Sequence, residues 1–119
     1  MSGDKVTCSI EWLLIPAPDL EKARRFYSAV FNFGIEDYSE SFSVFKAFNI
    51  SGALDSSLRP SVNSLSFSIT VDNIPLILEK VVKFDGKIIR EKYSLGDNLG
   101  FCAQFADPNG NILELYSVK

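Results

Sequence analysis

Glu114 is the acid whose neighbours in the sequence suit chemistry. It sits in Ile112-Leu113-Glu114-Leu115-Tyr116, just after Asp107-Pro108-Asn109-Gly110. That tetrapeptide is strong turn chemistry, because Pro fixes φ while Asn and Gly tolerate positive φ. The flanking runs alternate as strands do. Phe101, Ala103 and Phe105 share one face, with Cys102 and Gln104 on the other. Leu113 and Leu115 face one way; Ile112, Glu114 and Tyr116 face the other. A half-polar face with one carboxylate suggests a lined cavity. There Glu114 could act as a general base, if its pKa is raised, or anchor a ligand amine. Cys102 reads as a thiol beside that cavity or as a small buried hydrophobe. The chain has no His, so no imidazole could activate it.

Two other stretches carry candidate groups. Ser64, Ser66, Ser68 and Thr70 alternate with Leu65, Phe67, Ile69 and Val71. The hydroxyl face either hydrogen-bonds a ligand or is simply solvated. Trp12 shares a strand face with Cys8, Ile10 and Leu14. It reads either as a cavity wall that stacks on a planar or cationic ligand, or as a core aromatic. Arg24-Arg25 reads as the wet face of a helix, and the 93–98 stretch as a connecting loop that could close over a pocket.

The elements that position these groups come in two copies. The first opens with a strand over residues 6–15, broken by Pro16-Ala17-Pro18. Asp19 is a plausible N-cap for a helix to about Phe33, with Leu20, Ala23, Phe26, Tyr27, Val30 and Phe31 as its apolar stripe. Gly34 stands where a left-handed C-cap is wanted. Strands are expected over 35–38, 43–48 and 53–58, the last two joined by a turn at 49–52. The Ser-rich stretch 55–63, with Pro60, reads as a linker. The second copy opens with the strand 64–71, followed by a helix capped by Asn73 with Pro75 in its first turn. Phe84-Asp85-Gly86 ends the helix; a strand over 87–92, a loop over 93–99 and the C-terminal hairpin complete the copy. Pro18-Asp19-Leu20 corresponds to Asp72-Asn73-Ile74.

Composition sets the bounds. A chain of 119 residues is one domain's worth. Ten Phe suggest an aromatic-rich core or pocket. The net charge of −3 leaves no basic footprint for nucleic acid. No apolar run approaches the ~18 residues of a membrane span. The first five residues lack the character of a signal peptide. Two cysteines make no disulfide scaffold, so a cytoplasmic protein with reduced thiols is expected.

The ending Asp107-Pro108-Asn109-Gly110-Asn111-Ile112-Leu113-Glu114-Leu115 resembles that of the vicinal oxygen chelate superfamily. Glyoxalase I, extradiol dioxygenases, fosfomycin-resistance enzymes and bleomycin-resistance proteins belong to it. The resemblance implies an α+β fold of two βαβββ modules, residues 6–58 and 64–118, forming one domain of curved mixed sheets around a cavity. It also implies a homodimer, and a metal held by a His in the first strand of each module and an acid or His in the last. Carried across, those positions fall on Trp12, Ser66, Glu114 and a place near Ser56. Such a set implies no family metal and no cofactor.

The function expected is metal-free binding of a small organic molecule, resembling bleomycin-resistance-type sequestration. Trp12, Leu14, Ser66, Ser68, Cys102, Gln104, Glu114 and Tyr116 would line the cavity, with no nucleic-acid or membrane partner. The alternative is a glyoxalase- or dioxygenase-like lyase, isomerase or oxygenase with an altered metal site using Glu114.

Overall fold

The computed structural model describes residues 10–60 and 66–119. The first module contains β1 (Trp12–Pro16), α1 (Leu20–Phe31), β2 (Gly34–Asp37), β3 (Phe42–Lys46) and β4 (Ser51–Asp55). The second contains β5 (Ser68–Thr70), α2 (Ile74–Lys83), β6 (Lys87–Ser94), β7 (Phe101–Ala106) and β8 (Ile112–Ser117). Each module forms a four-stranded mixed sheet, ordered β1-β4-β3-β2 and β5-β8-β7-β6. The opening strand of each sheet runs parallel to the last; the other neighbours are antiparallel. This is the α+β arrangement of two βαβββ modules expected from the sequence.

Both helices start on side-chain caps. The Asp19 carboxylate accepts from Lys22 N at 3.1 Å, and the Asn73 side chain accepts from Leu76 N at 3.1 Å. Each cap satisfies a donor that the first helical turn leaves free. The end of α1 corrects the expectation for Gly34. Asn32 takes the left-handed position, with φ 60°, and Gly34 is already the first residue of β2. Asn adopts this conformation through its short polar side chain, so the helix closes two residues earlier.

Other boundaries move as well. Ala47 N donates to Ile50 O at 2.8 Å, so the β3–β4 turn spans 47–50 and leaves Phe48 exposed at its tip. The expected strand residues 6–9, Ser64 and Leu65, and linker residues 61–63, lie outside the described residues.

The helices share one core with both sheets. Its centre is aromatic. Tyr27 stacks on Phe33 and Phe33 on Phe45, with centroids 5.7 and 5.2 Å apart. Phe26 and Phe31 reach Phe105 of the second module at 6.0 and 5.6 Å. Such pairs add about 0.5–1.5 kcal/mol each beyond the area they bury.

The Asp107-Pro108-Asn109-Gly110 turn latches the modules together. Gly110, at φ 93°, closes the turn with its N–H on Asp107 O at 3.0 Å. The buried Asp107 carboxylate accepts from Tyr27 Oη at 2.8 Å, Asn109 N at 2.9 Å, Asn111 N at 3.0 Å and Asn111 Nδ2 at 2.8 Å. Asn111 Nδ2 also donates to Pro16 O at 2.6 Å. Asn109 and Asp19 exchange two hydrogen bonds, at 2.6 and 3.1 Å. The turn thus grips the end of β1 and the start of α1.

Burial raises the Asp107 carboxyl above its usual range, against the pull of hydrogen bonds from Asn111, Tyr27 and Asn109. Burial also pushes the Tyr27 phenol well above its ordinary value of 10.0, and the Asp107 carboxylate pushes the same way.

Asp107→Ala strips these donors of their acceptor and should lower stability by at least about 3 kcal/mol, since each buried donor left unpaired costs ~1–3. Urea unfolding at neutral pH measures it; a loss under about 1 kcal/mol would show that the latch does not couple the modules. Tyr27 yields a second expectation. Its folded-state pKa is raised, so its contribution is full below about pH 10 and is lost as pH rises through the folded value. Tyr27→Phe should flatten the alkaline fall in unfolding free energy, read from urea curves between about pH 8 and 11.

Candidate functional site

The polar face of the second sheet is built row by row. Strand register aligns Ser68 with Glu114, Glu114 with Gln104, and Gln104 with Arg90. The next row aligns Thr70, Tyr116, Cys102 and Tyr93. Leu113, Leu115, Ala103 and Phe105 fill the opposite face and are buried in the core. Glu114, Gln104 and Tyr116 are half-buried, Ser68 is exposed and Cys102 is buried.

β6 departs from regular alternation. Its register against β7 shifts between Ile88 and Arg90 and again between Arg90 and Tyr93. An irregularity of this kind re-aims side chains. Without the second shift Arg90 and Tyr93, three residues apart, would point to opposite faces. Instead the Arg90 guanidinium lies 3.5 Å from the centroid of the Tyr93 ring. The strand also continues to Ser94, past the end expected at Lys92. Regular alternation gave no hint of this pair; the signal in the sequence is the adjacency of Arg90 and Tyr93 to the hairpin.

The 93–99 stretch forms a hydrogen-bonded turn. Leu95 N donates to Gly100 O at 2.9 Å and Leu99 N to Gly96 O at 2.8 Å. Tyr116 Oη then donates to Leu99 O at 2.8 Å, tying this turn to β8. Burial pushes the Cys102 thiol up, and Glu114 adds to the rise, while a hydrogen bond with Tyr93 and the Arg90 charge oppose it. Cys102 is a buried, protonated thiol, which suits packing better than nucleophilic attack.

The first sheet presents a different face. Trp12 is in register with Ser51, and Leu14 with Ala53. Trp12 is 52% exposed and Leu14 56%, while Ile15 behind them is buried. A cleft of about 500 Å³ joins the modules here, lined by Ile10, Trp12, Leu14, Ser66, Asn111 and Ile112 among others. Ser66 Oγ donates to Ile112 O at 2.8 Å, within the second module's wall of the cleft. A second cleft, of about 730 Å³, lies where the 47–49 turn faces β5 and includes Ser68 and Thr70. Of the candidates, Trp12, Leu14 and Ser66 therefore share one cleft. Ser68, Cys102, Gln104, Glu114 and Tyr116 share the second sheet's polar face.

The family's metal positions can now be placed by register. Ala17 N donates to Asp55 O as Val71 N donates to Tyr116 O. Asp55 therefore matches Tyr116, and the counterpart of Glu114 is Ala53 rather than a residue near Ser56. The four positions hold Trp12, Ser66, Ala53 and Glu114. Asp55, two residues beyond Ala53 on β4, accepts from Ser57 N and Oγ at 2.8 and 2.6 Å, and this Ser57 side chain holds its pKa down. Among the described residues no three His, Cys, Asp or Glu side chains gather into a metal-binding group. A divalent transition metal generally needs about three protein ligands, so this donor set does not fit one.

Comparison with known proteins places the architecture. The family model for the Glyoxalase/Bleomycin resistance protein/Dioxygenase superfamily matches residues 9–115. A glyoxalase/bleomycin resistance protein/dioxygenase family enzyme from Burkholderia phytofirmans PsJN superposes with a TM-score of 0.78 at 15% identity, covering 92% of this chain and 98% of its own. Lactoylglutathione lyase from Agrobacterium tumefaciens gives 0.70 at 19% identity, covering 95% and 96%. The genomically encoded fosfomycin resistance protein FosX from Listeria monocytogenes gives 0.69 at 17% identity, covering 96% and 94%. At these identities the structural likeness is one of fold. Among curated proteins the sequence finds no match. The family match spans nearly the whole chain, and the protein belongs to the glyoxalase/bleomycin resistance protein/dioxygenase superfamily.

Proposed function

We propose that the protein binds a small organic molecule without a metal, in the manner of a sequestering protein. The observation that carries this reading is the donor set Trp12, Ser66, Ala53 and Glu114 at the family's metal positions. The faces that remain are suited to an organic ligand. Trp12 and Leu14 offer exposed apolar surface, with the indole free to stack on a planar or cationic group. Ser68, Gln104 and Glu114 offer hydrogen bonds and one negative charge.

A second copy of the chain is the partner we propose for closing these faces. The radius of gyration is 15.8 Å, against about 13.5 Å for a compact domain of this length. Two sheets set side by side leave their outer faces open, and a symmetric pair would cover them. The free, buried Cys102 thiol is in keeping with a reducing cytoplasm. Among the described residues no helix is long and apolar enough to cross a membrane.

The second reading is an enzyme of glyoxalase or dioxygenase type. Glu114 favours it, because the carboxylate is retained on the polar face beside Gln104. It would then work through an altered metal site that includes Glu114.

Elemental analysis separates the readings. Protein equilibrated with Zn²⁺, Ni²⁺, Fe²⁺ or Mn²⁺ and then dialysed should retain well under one metal per chain. About one per chain, lost on Glu114→Ala, would restore the metal-dependent enzyme. Light scattering at tens of micromolar should give twice the 13.2 kDa chain mass; a monomer mass would remove the proposed closure.

A further inference from the structure

The polar row of the second sheet carries two opposite charges that do not neutralise each other. Arg24 pairs with Asp37 and Arg25 with Asp85, and Arg59 donates to Ser56 O and Leu58 O. Arg90 is the arginine left without an ion pair or hydrogen bond among the described residues; its guanidinium is held only by the Tyr93 ring. The Glu114 carboxylate likewise has no hydrogen-bond or ion-pair partner among the described residues, although it is half-buried. Gln104 lies between them in register, and its amide is also unpartnered among the described residues.

The spacing is set by the sheet. Arg90 and Glu114 stand two strands apart, about 10 Å between their Cα atoms at the usual inter-strand distance. A guanidinium stacked flat on an aromatic ring keeps its N–H edge free, and that edge matches a carboxylate bidentately. The stacking also fixes the rotamer, which lowers the entropy lost when an anion binds. At the other end of the row a carboxylate with Ser68 beside it suits an ammonium group.

We infer that this face takes a zwitterion: Arg90 holds its carboxylate and Glu114 its ammonium group, with the Gln104 amide between them in register to hydrogen-bond either charged end. This inference rests on the metal-free binding reading and names its ligand class. The ligand is an ω-amino acid or short peptide-like molecule whose charges stand several ångströms apart. A mono-ion would satisfy one end and leave the other charge uncompensated.

The test uses the full chain and three probes of one length: 6-aminohexanoate, hexanoate and hexylamine. Titrations are followed at low salt through the backbone amide signals of β7 and β8. 6-Aminohexanoate should bind at least fivefold more tightly than either mono-ion. Arg90→Gln should bring its affinity down to that of hexylamine, and Glu114→Gln down to that of hexanoate. Circular dichroism on both variants verifies folding, and Lys87→Gln on the same strand serves as a control that should change binding little. Equal affinity for all three probes, or no loss in either variant, would overturn the zwitterion site while leaving the metal-free reading intact. A stoichiometric metal in the elemental analysis would instead overturn that reading, whatever the probes do.

Discussion

The Asp107 carboxylate is the constraint on which the structure turns. It takes four donors, from its own turn and from Tyr27 on α1. Burying a carboxylate costs several kcal/mol unless hydrogen bonds replace the lost water. Here they do, and the replacement fixes three things together: the path of the turn, the Tyr27 rotamer, and through Asn111 the end of β1. Since β8 starts from that turn, the latch also sets the register that puts Glu114 beside Ser68 and Gln104. Hydrophobic burial drives the modules together without direction. The latch supplies the direction.

This division of labour explains why the motif and the acid following it play different parts. Asp107 and Asn111 spend their hydrogen-bonding capacity inside the protein. Glu114, seven residues along, spends none of its side-chain capacity there among the described residues. One stretch of sequence thus holds a saturated structural acid and an unsaturated surface-facing one. Residue type does not distinguish them. Burial and partner count do.

The same distinction shows what could be read without a structure. Alternation in 101–105 and 112–116 sorted core from polar face, since a pleated strand has only two faces. Caps at Asp19 and Asn73 announced both helices. The C-cap at Asn32 escaped because Gly34 offered a better statistical candidate two residues on. Arg90 and Tyr93 escaped for a deeper reason. Their shared face depends on register shifts in β6, and shifts arise from pairing with β7, not from local pattern. The counterpart of Glu114 lies at Ala53 rather than near Ser56, because parity along one strand cannot fix its register against a partner 39 residues earlier in the chain; the matched hydrogen bonds of Ala17 and Val71 do.

The two sheets, alike in strand order, carry unlike outer faces. In the first, Trp12 and Leu14 stand beside Ser51 and Ala53, with Val44 in the same row as Ala53. In the second, the corresponding rows hold Ser66, Ser68, Glu114, Gln104 and Arg90. A face-to-face pairing of like sheets would bury either two apolar faces or two sets of charges, and the second carries a heavy desolvation penalty. Pairing the first sheet of one copy with the second of another avoids it. Each space closed by the proposed pairing would have an apolar wall and a polar wall. Such a space excludes water from one side of a ligand while leaving hydrogen-bond partners on the other. Trp12, Ser66 and Ala53 are not usual ligands of a divalent metal, and on the proposed reading such unlike walls would suit an amphipathic organic molecule.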